Sequence, residues 1–133
     1  MSGSVKPEEL GDAITEVLTE YVDDVAGRMH KAIDTVSEET MAEIKLRIPF
    51  QQRTKKYVRA FAIKTVYEDR WNKRNTWYVK SPHFRLTHLL EHGHRNRNGT
   101  HTRAFPHIRY GEELARKRLA ELCEKAVNGE EIK

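Results

Sequence analysis

The stretch that decides the fold is residues 7–46, PEELGDAITEVLTEYVDDVAGRMHKAIDTVSEETMAEIKL. Its apolar residues recur mostly at steps of three or four, which places them on one stripe of an amphipathic helix. A proline followed by two glutamates is typical of a helix N-terminus. We predict a helix from about Pro7 to about Leu46, ended by Pro49. Gly27 marks the point where it could kink, because glycine costs about 1 kcal/mol relative to alanine in a helix.

This helix is too long for the domain that carries it. At ~1.5 Å per residue it spans roughly 60 Å. The whole chain has 133 residues, the usual size of one domain with one core. We therefore predict a single domain over residues 1–133, with a disordered start over 1–6. Part of the apolar stripe should be buried against another subunit.

The middle of the chain predicts a small antiparallel sheet. Residues 57–67, YVRAFAIKTVY, are rich in β-branched and aromatic residues, as strands are. Residues 76–80, TWYVK, are the predicted hairpin partner, across a polar connection formed by 68–75.

The last third predicts two further helices around a polar loop. A short helix carrying Phe84 and several leucines should end at Gly93, in a left-handed conformation. Residues 94–103, HRNRNGTHTR, lack apolar side chains and predict a flexible basic loop. Residues 104–108 then return to the core, and 110–127 have the spacing of a C-terminal helix. The predicted fold class is α+β, with a long N-terminal helix, a small antiparallel sheet, a short helix and a C-terminal helix.

Charge is divided unevenly along the chain. Residues 1–44 carry 3 basic and 11 acidic side chains, whereas residues 45–110 carry 16 basic and 3 acidic ones. The net charge of +4 therefore hides two opposed regions. Opposed surfaces on one chain suit copies that meet head to tail in a ring.

Cysteine usage and hydropathy exclude several classes of protein. Cys123 is the single cysteine, so an intramolecular disulfide is excluded. No apolar run approaches the ~20 residues that span a bilayer, and the first residues lack the apolar segment of a signal peptide. We expect a protein made in a reducing cytoplasm, with no membrane partner. Cys123 should pack in the last helix rather than act as a nucleophile.

Histidines cluster in the second half of the chain, and His88, His92 and His94 form the tightest group. On a helix, His88 and His92 share a face, which is the spacing at which two imidazoles can bind one zinc ion. The nearest carboxylate is Glu91, and no cysteine pair is present. We therefore predict no bound metal and no cofactor.

A His-Asn-His nuclease is the enzymatic alternative. His92, then Asn96 or Asn98, then His101 or His107 occur in the required order. Such enzymes need a general base, a metal ion and a rigid frame. Because the asparagines fall in the predicted loop, we predict no catalytic residues.

Nucleic-acid binding is the second alternative, because basic and aromatic residues interleave in the middle of the chain. Interleaving of this kind can bind single strands through phosphate contacts and base stacking, but strands also alternate in this way for packing alone. The residues are Arg53, Lys55, Lys56, Arg59, Arg70, Lys73 and Arg74, beside Tyr57, Trp71 and Trp77.

Residues 78–108, YVKSPHFRLTHLLEHGHRNRNGTHTRAFPHI, resemble a pattern in the small neck, or tail-completion, proteins of long-tailed bacteriophages. In that family a strand leads into a Leu-rich segment that ends in Glu, an aromatic residue or His, and Gly. A variable loop and a Pro-centred aromatic motif follow, and the motif opens the terminal helix. Residues 89–93 match the first part, and residues 105–108 match the second.

The resemblance implies a structural virion protein that fills a joint between head and tail, without turnover. Its partners would be copies of itself in a ring and adjacent neck or tail proteins, with incidental contact to packaged DNA. It would be located in the virion, after assembly in the host cytoplasm. The expected assembly interface consists of Glu91, His92, Gly93, His94, Arg95, Arg97, Arg103, Phe105 and Pro106.

Overall fold

The computed structural model describes residues 6–48 and 56–132. Its elements confirm the predicted α+β class, with two long helices and two small antiparallel sheets. After a 3₁₀ turn at Pro7–Glu9, they are α1 Leu10–Leu46, α2 Lys56–Arg59, β1 Phe61–Glu68, β2 Lys73–Val79, α3 Phe84–His92, β3 His94–Arg95, β4 His101–Thr102 and α4 Ile108–Val127.

Helix α1 confirms the predicted long helix. It continues through Gly27 without a break. The helix ends at Leu46, where the N–H of Arg47 donates to the carbonyl of Glu43 at 3.0 Å. Pro49, the predicted terminator, lies outside the described residues, as do residues 1–5 of the predicted disordered start.

Two apolar clusters pack along α1. The first joins the middle of α1 to the end of α4 and consists of Ala32, Val36, Leu122, Ala126 and Ile132. The second surrounds the C-terminal end of α1 and consists of Ile44, Tyr57, Ala60, Phe61 and Val79. Helix α1 is therefore the central element, with α4 and the β1–β2 hairpin packed against it.

The predicted strand over residues 57–67 is wrong at its start. Residues Lys56–Arg59 form the helical turn α2, and the strand begins at Phe61. Across the junction of α2 and β1, the rings of Tyr57 and Phe61 meet edge to face at 5.1 Å. This packing overrides the strand preference of the segment.

The predicted connection over residues 68–75 is too long. The turn occupies only residues 69–72, where the carboxylate of Asp69 accepts the N–H groups of Trp71 and Asn72. Residues 73–75 belong to β2 because Lys73 and Asn75 bond the carboxylate of Asp34 on α1, at 2.9 and 3.0 Å. The polar side chains therefore attach the strand to the helix.

Residues 94–103, predicted as a flexible basic loop, contain the two short strands β3 and β4. His94 pairs with Thr102 and Arg95 with His101 in a short hairpin. Its turn is held by hydrogen bonds among Asn96, Asn98 and Thr100. Asn and Thr side chains bond nearby backbone and side chains readily, so the segment folds locally without an apolar residue.

Helix α4 begins at Ile108, two residues before the predicted start, and ends at Val127. Gly129 follows with a φ of 83°, which agrees with the predicted stop. Arg118 on α4 bonds Glu39 on α1 at 2.9 and 3.1 Å. Cys123 is partly buried in this helix, as the sequence predicts.

Candidate functional site

The two parts of the phage-like motif meet at the start of α4. Glu91, near the end of α3, accepts hydrogen bonds from three consecutive backbone N–H groups. His107 and Ile108 donate to Oε1 at 2.9 Å, and Arg109 donates to Oε2 at 3.1 Å. A helix N-terminus leaves its first N–H groups without intrahelical partners. Glu91 satisfies them and also places a negative charge at the positive end of the helix dipole.

The environment of Glu91 keeps it ionised. Its side chain is only 10% exposed, and burial alone would raise the pKa of the carboxyl group. The three backbone N–H donors outweigh burial, so the pKa of Glu91 is lowered. Backbone amides, rather than a basic side chain, are therefore the main contacts of this carboxylate.

His107 is fully buried beside this carboxylate. Its Nδ1 lies 2.8 Å from the carbonyl of Phe105 and 3.2 Å from Glu91. Both neighbours only accept hydrogen bonds, so Nδ1 carries a proton. In the neutral ring, Nε2 then accepts the hydroxyl of Tyr57 at 2.8 Å. Burial raises the pKa of that hydroxyl.

Tyr57, His107 and Glu91 form a continuous line of polar contacts. Such a line could pass a proton, but here it holds neighbouring elements together. Tyr57 is 5% exposed, and its hydroxyl also contacts Thr87 at 3.3 Å. The cluster joins α2, α3 and the start of α4 through buried polar contacts. Such networks fix a unique packing when every member is paired.

Gly93 lets the chain after α3 pack closely against the segment before α4. Its φ of 75° confirms the predicted positive value, although its ψ of 174° is not that of a left-handed helical cap. A Cβ atom at this position would lie 2.6 Å from the carbonyl oxygen of Thr102. Beyond the hairpin, the N–H of Phe105 donates to the carbonyl of Leu90 at 2.6 Å. Only glycine fits here without strain.

The structure divides the nine predicted interface residues into two groups. One group is partly buried where the end of α3 meets the segment before α4, and it consists of Glu91, Gly93, Phe105 and Pro106. The exposed members are His92, Arg95, Arg97 and Arg103, whereas His94 is partly buried. The exposed arginines lie on and beside the β3–β4 hairpin, so this hairpin presents a basic surface.

The predicted histidine pair is present on α3. The rings of His88 and His92 lie 4.9 Å apart between centroids. Within residues 6–48 and 56–132, no three His, Cys, Asp or Glu side chains gather as a metal site would require. The pair lines an open groove together with Glu112 of α4.

The residues of the nuclease alternative are already engaged in structural contacts. The amide of Asn96 donates to Thr100 at 3.0 Å, and Asn98 accepts from the same threonine. His107 is enclosed by Tyr57 and Glu91. Asn96, Asn98 and His107 are therefore engaged in contacts that hold the fold.

Among the described basic and aromatic residues of the middle segment, three are used for packing, whereas five are exposed, namely Lys56, Arg59, Arg70, Trp71 and Arg74. Tyr57 is buried, and Trp77 packs against Phe61 at 4.9 Å. Lys73 is nearly buried between two carboxylates. Trp71, beneath the guanidinium of Arg70, is half exposed and remains available for stacking. Arg53 and Lys55 lie outside the described residues.

Comparisons with models of protein families, with curated proteins and with solved structures found no match for this chain. In the described part of the chain, no helix has both the length and the apolar character needed to cross a bilayer. Function must therefore be inferred from the chain's own residues and contacts.

Sequence reasoning missed the buried contact between Tyr57 and His107, which are fifty residues apart. It also missed the role of Glu91 as the cap of α4. One signal was available, since Glu91 is the only acidic residue between Arg70 and Arg109. An isolated carboxylate suits the positive end of a helix dipole, but seventeen residues separate Glu91 from the start of α4, so the sequence does not show that the two meet.

Proposed function

We propose that this chain is a non-catalytic structural protein of the neck of a long-tailed bacteriophage, where it joins or completes the tail at the head–tail interface. It acts as one subunit of a ring and contacts adjacent neck or tail proteins. It is located in the virion after assembly in the host cytoplasm. Contact with packaged DNA is incidental to this role.

The observation that carries the proposal is the capping of α4 by Glu91. The resemblance rests on two motifs that are separated by a variable loop. In the structure the two motifs form one unit, through the three N–H bonds to Glu91 and the bond from Phe105 to Leu90. The intervening hairpin can vary in sequence without disturbing this unit. A rigid frame that presents a variable loop is suited to joining different neighbours.

The test removes the exposed charge of the hairpin and leaves its frame intact. Arg95→Ser combined with Arg97→Ser should leave the melting temperature nearly unchanged, because both side chains are exposed. In a complementation assay the variant should leave heads without tails. A matched control, Arg74→Ser with Arg116→Ser, removes the same charge from exposed positions elsewhere. Normal tail attachment by the hairpin variant would contradict the proposal for this surface.

Nucleic-acid binding is the competing function, and the half-exposed Trp71 beside Arg70 favours it. Affinity for single-stranded DNA would then fall steeply with salt. Trp71→Ala would weaken it by roughly 1–3 kcal/mol per stacked base. The neck proposal instead expects Trp71→Ala to leave head–tail joining intact.

A further inference from the structure

The first turns of α1 project beyond the rest of the described chain. We call residues 10–22 the arm. Every residue of the arm except Ala13 is exposed. Helix α4 ends at Val127, whose carbonyl accepts the hydroxyl of Tyr21 at 3.1 Å, and the β1–β2 hairpin reaches Asp23 through Arg70, at 2.8 Å. The elements that pack against α1 therefore stop at the C-terminal end of the arm.

The exposed apolar side chains of the arm lie on one side of the helix. At about 100° per residue they fall within an arc of about 140°. Each is between 44% and 64% exposed, and they are Leu10, Ile14, Val17, Leu18, Tyr21 and Val22. The carboxylates of Asp12, Glu16 and Glu20 lie on the opposite side. A contiguous exposed apolar stripe marks an interaction surface, and a partner that covers it leaves those carboxylates in solvent.

The spacing of the stripe is the same in both directions along the helix. Residues 10, 14, 17 and 21 lie within about 60° of one another and are separated by steps of four, three and four. A two-fold axis between residues 15 and 16 therefore exchanges position 10 with 21 and position 14 with 17. A two-fold contact uses the same surface on both copies, so that surface must complement its own reversed copy. The arm meets this requirement.

The position of α4 decides the direction in which a second copy can pack. Past Tyr21 the stripe is already covered by α4, through the cluster that contains Val36 and Leu122. A parallel second α1 would continue past that point and collide with α4, because packed helices lie only about 8–10 Å apart. An antiparallel second α1 begins near that point instead, since its first helical residue is Leu10. It therefore covers the arm and stops where α4 begins.

The area of the stripe is enough for a weak but specific dimer. A half-exposed Leu, Ile, Val or Tyr presents roughly 100 Å², so the six side chains present about 600 Å² per copy. Two copies together would bury up to about 1,200 Å², the lower bound for stable specific interfaces. An interface of this size predicts a dissociation constant on the order of 10 µM.

We propose that two copies of this chain pair through their arms, antiparallel about a two-fold axis between residues 15 and 16. The partner's Tyr21 then lies against Leu10, and the partner's Val17 lies against Ile14. Both rows of carboxylates lie on the outer sides of the pair, where water and salt screen them. The contact concerns the free protein and goes beyond the proposed function, because it does not depend on head–tail joining.

Disulfide trapping tests the direction and register of the contact in purified full-length protein. In a Cys123→Ser background, a Leu10→Cys chain is mixed with a size-tagged Tyr21→Cys chain under a mild oxidant. The mixed product should form at least tenfold faster than either chain's product with itself, because docking raises the effective concentration of neighbouring thiols. Identical positions lie about 16 Å apart along the axis in the antiparallel pair. Faster linking of each chain with itself would show a parallel pair and overturn the proposal.

The matched control mixes Asp12→Cys with Thr19→Cys in the same background. The same two-fold axis exchanges these two exposed positions, but they lie about 160° around the helix from Leu10 and Tyr21. They should link only at the rate of random collision. Equal rates for the two mixtures would show that the arm is not covered by a second copy, and the proposal would be overturned.

Analytical ultracentrifugation provides the second readout. The wild-type mass should rise from one chain towards two between about 1 and 100 µM. Ile14→Ser with Val17→Ser should remain a single chain, whereas Glu16→Ser with Thr19→Ser, the same change on the outer side, should dimerise as wild type does. Both variants should keep the helix content of the dilute wild type, because all four positions are exposed in the single chain.

Two results of the mass measurement would overturn the proposal. One is a wild-type chain that stays single over this range, and the other is a dimer that survives the changes at Ile14 and Val17. These outcomes do not depend on whether the chain joins heads to tails, so they are distinguishable from failure of the proposed function.

Discussion

Replacing Glu91 tests the unit that the two motifs form. Glu91→Ala removes the acceptor of three backbone N–H groups. Those of His107 and Ile108 are partly buried, whereas that of Arg109 is exposed and can bond water instead. Two hydrogen bonds to a charged acceptor are lost, at about 1.5 kcal/mol each, so the free energy of unfolding should fall by about 3 kcal/mol. Glu91→Gln keeps one carbonyl oxygen and should lose about 1–2 kcal/mol.

Thermal and denaturant melts measure this loss directly. For a domain of this size, about 3 kcal/mol corresponds to a melting temperature lower by roughly 10 °C. Glu113→Ala is the matched control, because it removes an exposed carboxylate from the first turns of α4 and should cost at most about 0.5 kcal/mol. If Glu91→Ala melts as the control does, the capping reasoning is refuted.

The same residue predicts a pH dependence. The pKa of Glu91 is lowered from its ordinary value of 4.5, so its carboxylate stabilises the fold fully above that pH. This contribution is lost as the pH falls through the lowered pKa of the folded state. The stability difference between wild type and Glu91→Gln should therefore be constant from neutral pH to about 4.5 and shrink below it. A difference that grows on acidification would contradict this sign.

Three further predictions test packing and the absence of metal. Gly111→Ala should lower the free energy of unfolding by about 1–3 kcal/mol in denaturant melts, since its Cβ would lie 2.5 Å from the buried side chain of Ile44 on α1. Gly27→Ala, whose Cβ meets nothing within 4 Å, should raise it by about 0.5–1 kcal/mol. If both variants shifted stability in the same direction, the packing of α1 on α4 would be contradicted. Thr40→Val should be neutral or stabilising by up to about 1 kcal/mol, because this buried hydroxyl has no partner among the described residues; a clear loss of stability would reveal one. Chelation should leave the melting temperature unchanged and elemental analysis should find no stoichiometric zinc, whereas a large drop would indicate a metal at His88 and His92.

Much of the helical architecture was predictable because its signals are local. The stripe of α1 and the spacing of α4 follow from apolar periodicity alone. The positive φ of Gly93 follows from the chemistry of helix ends. These features depend on residues a few positions apart, so a single sequence contains the information.

The remaining features depend on contacts between distant residues. In its helical turn Tyr57 packs its ring against Phe61 and places its hydroxyl against His107. No local sequence pattern identifies those two partners. The hairpin over residues 94–102 formed without apolar residues, because Asn and Thr side chains bond within the turn. Glu91 binds backbone amides, and no residue type in the sequence identifies such a partner.

The central claim is that this chain joins heads to tails, and particles assembled without it give the most direct measurement. If the proposal holds, the gene lies in a phage or prophage, where it is deleted and the products are imaged by electron microscopy. We predict DNA-filled heads beside separate finished tails, with infectivity restored when the chain is supplied in trans. Joined, infectious particles at normal yield in the deletion strain would contradict the claim.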